Sequence, residues 1–138
     1  MRILGIDYGE ARTGLAISDE NEVVATVLQT IHERNHEKLA DKIAEICKER
    51  KVEKIVLGLP KNMDGTEGFR AEYTRKFKDL LADRMPDLIY DFYDERLTTV
   101  AASYFMQEAG TKGKKKKASI DALSAQIILQ DYLDRNNR

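Results

Sequence analysis

Ile55, Val56 and Leu57 form an unbroken apolar run that ends in Gly58. A run with no polar alternation suits a strand covered on both faces, and such strands belong to parallel sheets with helices above and below. The surrounding sequence fits that requirement. Before the run, Leu39, Ile43, Ile46 and Cys47 recur at helical spacing behind Asn35, a candidate N-cap, and predict an amphipathic helix to about Arg50. After it, Thr66 is a candidate cap for a helix whose apolar stripe is Phe69, Tyr73, Phe77, Leu80 and Leu81, closed by Pro86. A strand at Leu88 to Tyr93 follows. Met1 to Asp7, Leu15 to Ser18 and Val23 to Ile31 read as an antiparallel meander joined by the turns Tyr8 to Gly14 and Asp19 to Glu22. Thr98 or Thr99 caps a helix carrying Val100, Ala101, Tyr104 and Phe105, which Gly110 ends; the last helix runs from Ser119 to about Asn136. The order is βββαβαβαα, an α/β fold whose mixed sheet carries helices on both sides.

Residues 1–138 make one domain, long enough to fold on its own core. With 42% hydrophobic and 34% charged residues and only two prolines, disorder is excluded as a description of the chain. Cys47 is the single cysteine and lies on an apolar helix face, so packing is its expected role, in a reducing compartment. Ile3 to Ile6 is too short for the apolar segment of a signal peptide, and no run approaches the roughly 20 apolar residues of a spanning helix, so a cytoplasmic protein is expected. The net charge of −1 does not mark a nucleic-acid binder. Its distribution is more telling: Lys112, Lys114, Lys115, Lys116 and Lys117 stand within six residues, and without those five charges the net would be −6.

Three acids stand where buried structure is expected: Asp7 at the end of the first strand, Glu95 at the end of the last, Asp121 in the first turn of the last helix. Buried carboxylates are costly unless a cation or a basic group compensates them. Each has a plainer explanation: a hairpin turn at Asp7, a surface ion pair with Arg96, the helix dipole at Asp121. Alternation does not decide whether Asp94 or Glu95 points to a site. Arg12 is able to reach a phosphate held near Asp7. Lys61 and Asn62 follow the central strand, where open α/β sheets bind ligands, and the Lys114 to Lys117 loop is able to fold over an anionic strand. His32 and His36 lack zinc-site spacing, and neither a P-loop nor a dinucleotide fingerprint occurs.

D-x-G-x-x-R-x-G near the start, G-L-P-x-x-x-D-G in the middle, D-E-R-L-T-T, and K-K-x-x-x-D before a helix occur in that order over nearly the whole chain. Together they resemble the YqgF family, Holliday-junction-resolvase-like nucleases of the RNase H-like superfamily. The resemblance implies a five-stranded mixed sheet, three antiparallel plus two parallel strands, and a bacterial nuclease that matures the 5′ end of 16S ribosomal RNA. It implies Asp7, Glu95 and Asp121 as catalytic residues holding one or two Mg²⁺ or Mn²⁺ ions, weakly bound without substrate. Nucleic-acid contacts fall to Arg12, Lys61, Asn62, Arg96, Lys114, Lys115, Lys116 and Lys117. Expected partners are structured RNA or branched DNA and ribosomal precursor particles, with no membrane, for a monomer or weak homodimer. Three other functions compete: a Holliday junction resolvase in DNA recombination and repair, a non-catalytic RNA-binding ribosome-assembly factor, and an actin-like ATPase or sugar kinase, which also begins with D-x-G-x-x-x-x-G but needs a second lobe that 138 residues do not supply. One departure matters. Better-known resolvases take an acid from the end of the central parallel strand, where this chain has Gly58-Leu59-Pro60, so Glu95 must substitute from the next strand.

Overall fold

The structure, a computed structural model, describes residues 1–98 and 114–137, with the backbone alone at 114–120. The helix expected from Val100 to Gly110 lies outside the described residues. Strands β1 (Arg2–Asp7), β2 (Arg12–Ser18) and β3 (Ala25–His32) form the expected antiparallel meander, and β4 (Val52–Leu59) and β5 (Ile89–Asp94) add parallel to β1. The resulting five-stranded sheet has the order β3-β2-β1-β4-β5. Helices α1 (His36–Arg50) and α2 (Phe69–Arg84) cover one face, and α3 (Lys114–Asn136) covers the other.

Alternation along the central strands divides the core. Leu4, Ile6, Ile55 and Leu57 pack with Leu39, Ile43, Phe77 and Leu81 under α1 and α2. Ile3 and Val56 pack with Ala125, Ile128, Leu129 and Leu133 of α3. Because side chains alternate with period two, Asp7 shares the α3 face with Ile3, and Gly58 shares it with Val56. The carboxyl ends of β1, β4 and β5 therefore form one edge whose α3 side carries Asp7.

Local chemistry sets the helix limits. Asn35 caps α1 by accepting from the Lys38 N–H at 3.0 Å. Three expectations need correction. Thr66 does not cap α2: its hydroxyl is engaged by Asp64 at 2.6 Å and by the Asn62 amide at 2.9 Å, and the helix starts after Gly68. Its buried stripe is Ala71, Thr74, Phe77 and Leu81, while Phe69 is 78% and Tyr73 46% exposed, because the face of α2 turned to the sheet is the one that carries Thr74. Likewise α3 begins at Lys114 rather than Ser119, so the expected lysine loop at Lys114 to Lys117 is helical. Lysine is a good helix former, and no glycine or proline interrupts the run.

Helix α3 is fixed at both sheet edges. Gln126 donates to the Ala25 carbonyl at 3.0 Å and Gln130 accepts from the Ala25 N–H at 2.8 Å, on β3. On β5, Tyr132 donates to Asp91 at 2.9 Å, and the Tyr93 hydroxyl donates to Asp131. Among the described residues no helix is long and apolar enough to cross a membrane.

Candidate active site

Asp7 is the last residue of β1 and pairs in register with Gly14 of β2. A Cβ at Gly14 would stand 1.9 Å from the carbonyl oxygen of Asp121. Only glycine lets α3 cross the sheet this closely, and the crossing sets Asp121 beside Asp7. Gly5 does the same further down, where a Cβ would meet Leu129 Cβ at 2.8 Å. Asp121 thus lies in the third turn of α3, not the first, and the helix dipole no longer accounts for it.

Glu95 opens a 3-10 turn (Glu95–Leu97) just after β5. Its carboxylate is seated over Gly58: a Cβ there would lie 2.5 Å from Glu95 Oε1 and 2.8 Å from Ile128 Cδ1. The Glu95 carboxylate therefore fills the space above the end of the central strand that a side chain at position 58 would take. Asp94 faces the other way. Its carboxylate accepts from Arg96 Nη2 at 2.7 Å and from Arg96 Nε at 3.0 Å, which holds its pKa below the usual carboxylate range.

Asp7 and Glu95 share a hydrogen bond. Burial, then the negative charge of Glu95, pushes the Asp7 carboxyl well above its ordinary value, and the Arg70 guanidinium opposes the shift. Burial also raises Glu95, with the bond to Asp7 and the charge of Arg70 acting against it. The pair therefore holds a proton more readily than two exposed acids would. Burial raises Asp121 as well, opposed by Arg12 and His32. Arg12 Nε is 3.3 Å from Asp121 Oδ2, yet the direction is wrong for a hydrogen bond and that buried oxygen has none.

The remaining expected residues divide. Arg12 stands at the site, paired to Asp121 rather than free in the loop. Asn62 closes its own loop: its N–H donates to the Thr66 carbonyl at 2.8 Å and its side-chain amide to the Thr66 hydroxyl. The Lys61 backbone pairs antiparallel with that of Glu67 in the same loop. Arg96 is held by Asp94 and donates to the Met63 carbonyl at 3.3 Å. Lys114, Lys115, Lys116 and Lys117 occupy the first turns of α3, roughly 6 to 10 Å along the axis from Asp121 at 1.5 Å per residue. Among the described residues no group of three or more His, Cys, Asp or Glu side chains is drawn together closely enough to hold a metal ion as it stands.

Arg70 was not marked by the sequence reading, nor was Gly58 as the seat of Glu95. The signal for Arg70 was its spacing: Arg70, Thr74, Phe77 and Leu81 follow one helical stripe that turns polar where it meets the acids.

The RuvX family sequence model, described as Holliday junction resolvase, matches residues 1–135. The chain belongs to the RuvX family. This is the YqgF family that its motifs resemble. A RuvX relative from Acetivibrio thermocellus, named "Putative pre-16S rRNA nuclease", is 48% identical over 139 residues, covering 100% of this chain and 99% of that protein. One of the same name from Streptococcus sanguinis is 45% identical, covering 99% of each. Among solved structures, T. thermophilus RuvC in complex with a Holliday junction substrate matches with a TM-score of 0.61 at 13% identity, covering 99% of this chain and 96% of that one. The fowlpox virus Holliday junction resolvase matches with a TM-score of 0.59 at 13% identity, covering 98% and 99%. The RuvX chain shares the RNase H-like resolvase fold.

Proposed function

We propose that this RuvX chain is a metal-dependent nuclease that hydrolyses phosphodiester bonds in the 5′ region of precursor 16S ribosomal RNA. The observation that carries the reading is the meeting of Asp7 and Glu95, from two parallel strands, with Asp121 of α3 at one sheet edge. Three desolvated carboxyls, one with an oxygen lacking any hydrogen bond, fit a hard divalent cation better than they fit one another. All donors are oxygen, which suits Mg²⁺ or Mn²⁺.

Such ions, when bound, activate water and stabilise the leaving oxygen. The chain's own residues do the rest. Asp7 gives up the proton it shares with Glu95, so that both oxygens become donors. Arg12 balances the charge of Asp121 until an anionic strand arrives. Lys61 and the amino-terminal turns of α3 supply positive charge toward that strand, so binding weakens as salt rises. The relatives' names point to ribosomal precursor RNA. The family's description favours a second substrate, a four-way DNA junction, which requires two chains to cut symmetrically.

Both substrates belong in one experiment: a 5′-extended 16S precursor RNA and a four-way DNA junction, each with Mn²⁺ or EDTA, with wild type, Asp7→Asn, Glu95→Gln and Asp121→Asn. Metal-dependent cutting of the RNA, lost in all three variants, is expected. Cutting of the junction alone replaces the substrate. Binding without cutting replaces the nuclease with an assembly factor.

A further inference from the structure

Beyond the acids, on the α2 side of the same sheet edge, two cavities meet at Tyr73. The first, about 390 Å³, is walled by Tyr8, Glu10, Pro60, Arg70, Tyr73 and Thr74. The second, about 670 Å³, continues along Phe77 and Leu80 and is rimmed by Arg34, His36 and Lys76. Both volumes lie in the range of small-ligand pockets, roughly 300–1,000 Å³.

The first cavity is connected to the acids through Arg70, whose charge acts on both Asp7 and Glu95. Arg70 forms no ion pair among the described residues, so its planar donor fork is available to an anion. Tyr73 lies one helical turn on from Arg70, on the same side of α2. Tyr73 is 46% exposed, whereas Phe77, one turn further along α2, is buried. The floor is rigid: the Tyr8 ring stacks on Phe77 with centroids 4.5 Å apart and planes 11° apart, and the Tyr8 hydroxyl is hydrogen-bonded to His36. Glu10 adds one anionic acceptor, suited to a hydroxyl or exocyclic amine and hostile to a second phosphate. A cation unpaired among the described residues, an exposed ring and a donor-seeking carboxylate around one small cavity match the parts of a nucleotide.

We propose that this cavity holds one unpaired nucleotide next to the phosphate to be cut, its own phosphate on Arg70 and its base against Tyr73. The proposal rests on the nuclease reading above and adds that the substrate is single-stranded on that side. A paired base has no free face for the ring, whereas an unstacked base does. The strand beyond it runs along the second cavity, past Lys76 and Arg34.

The test is binding in EDTA of an RNA stem with a single-stranded 5′ extension carrying 2-aminopurine at successive positions. Wild type is expected to quench the probe at one extension position and not in a fully paired duplex. Tyr73→Leu is expected to abolish that quenching and weaken binding about 5- to 150-fold, while Tyr73→Phe keeps both. Arg70→Ala is expected to lower the slope of log affinity against log salt by about 0.7. Quenching by wild type equal in the paired duplex, or undiminished in Tyr73→Leu, overturns the proposal. Cleavage with Mn²⁺, run in parallel on wild type and Asp7→Asn, separates the two readings. Cutting that survives Asp7→Asn overturns the nuclease site; quenching lost with Tyr73→Leu supports the subsite independently of it.

Discussion

Gly14→Ala is the sharpest test of how this site is assembled. The new methyl would lie 1.9 Å from the Asp121 carbonyl oxygen and 2.8 Å from the Ala122 nitrogen, both backbone atoms that cannot rotate away. Ordinary contact begins near 3.4 Å, so α3 must lift by about 1.5 Å at the turn that carries Asp121. Overpacking of this kind costs about 1–3 kcal/mol. For a chain of 138 residues that corresponds to a fall in Tm of roughly 3 to 15 °C. Displacement of about 1 Å from a productive geometry costs on the order of 100-fold in rate, so cleavage should fall at least that far in molecules that remain folded. Gly68→Ala is the control: its methyl meets only the Asn62 side-chain amide, at 3.7–3.8 Å, and should cost less than about 1 kcal/mol with activity kept. Thermal unfolding and single-turnover cleavage below the variant's Tm read the two effects. A Gly14→Ala protein with wild-type Tm and rate would refute the claim that this glycine sets the seat of Asp121.

Three further outcomes are expected. Gly58→Ala places a methyl 2.5 Å from Glu95 Oε1 and 2.8 Å from Ile128 Cδ1, both ends of side chains, so stability should fall by about 1–3 kcal/mol while cleavage falls at least about 10-fold; unchanged cleavage would remove Glu95 from the site. Asp7→Asn should raise Tm in EDTA at neutral pH. The folded pKa of Asp7 is raised, so the native state binds the extra proton, and its stability is lost as pH rises from the ordinary carboxylate value through the folded one. The gain should therefore vanish near pH 3 and grow toward neutrality, and saturating Mg²⁺ should reverse its sign; a pH-independent difference would contradict the burial argument. Cys47, buried and pushed up to about 12, should resist a thiol reagent at pH 8 in the native protein and react fully on unfolding, since only about one molecule in 10,000 is then thiolate.

Features legible in the sequence were those fixed by local chemistry. The run Ile55 to Leu57 announced a strand covered on both faces, Asn35 announced a helix start, and Cys47 announced a packed face, because each depends on neighbours within one turn or one strand. Asp7 was legible as the end of β1. Features that depend on how distant elements meet were not. Glu95 shares the α3 face with Tyr93, and Asp7 shares it with Ile3, but no local pattern says that these two faces are the same one. Phe69 and Tyr73 were assigned to the core for their hydrophobicity, and the true stripe through Thr74 was masked by its polar residues.

The glycines give a physical account of how Glu95, on the turn after β5, comes to lie over the end of β4. On the α3 face, Gly5, Gly14 and Gly58 together remove the side chains that would hold helix and 3-10 turn away from the sheet. There is room above the end of β4 for one carboxylate only. If residue 58 bore it, the side chains of Ile128 and Glu95 would have to retreat, since their atoms already lie 2.5–3.0 Å from the position of a Cβ. With glycine at 58, Glu95 reaches the same space from the adjoining strand and meets Asp7 there. A site of this type is specified by the point in space where a carboxylate is needed, and more than one strand is able to deliver it.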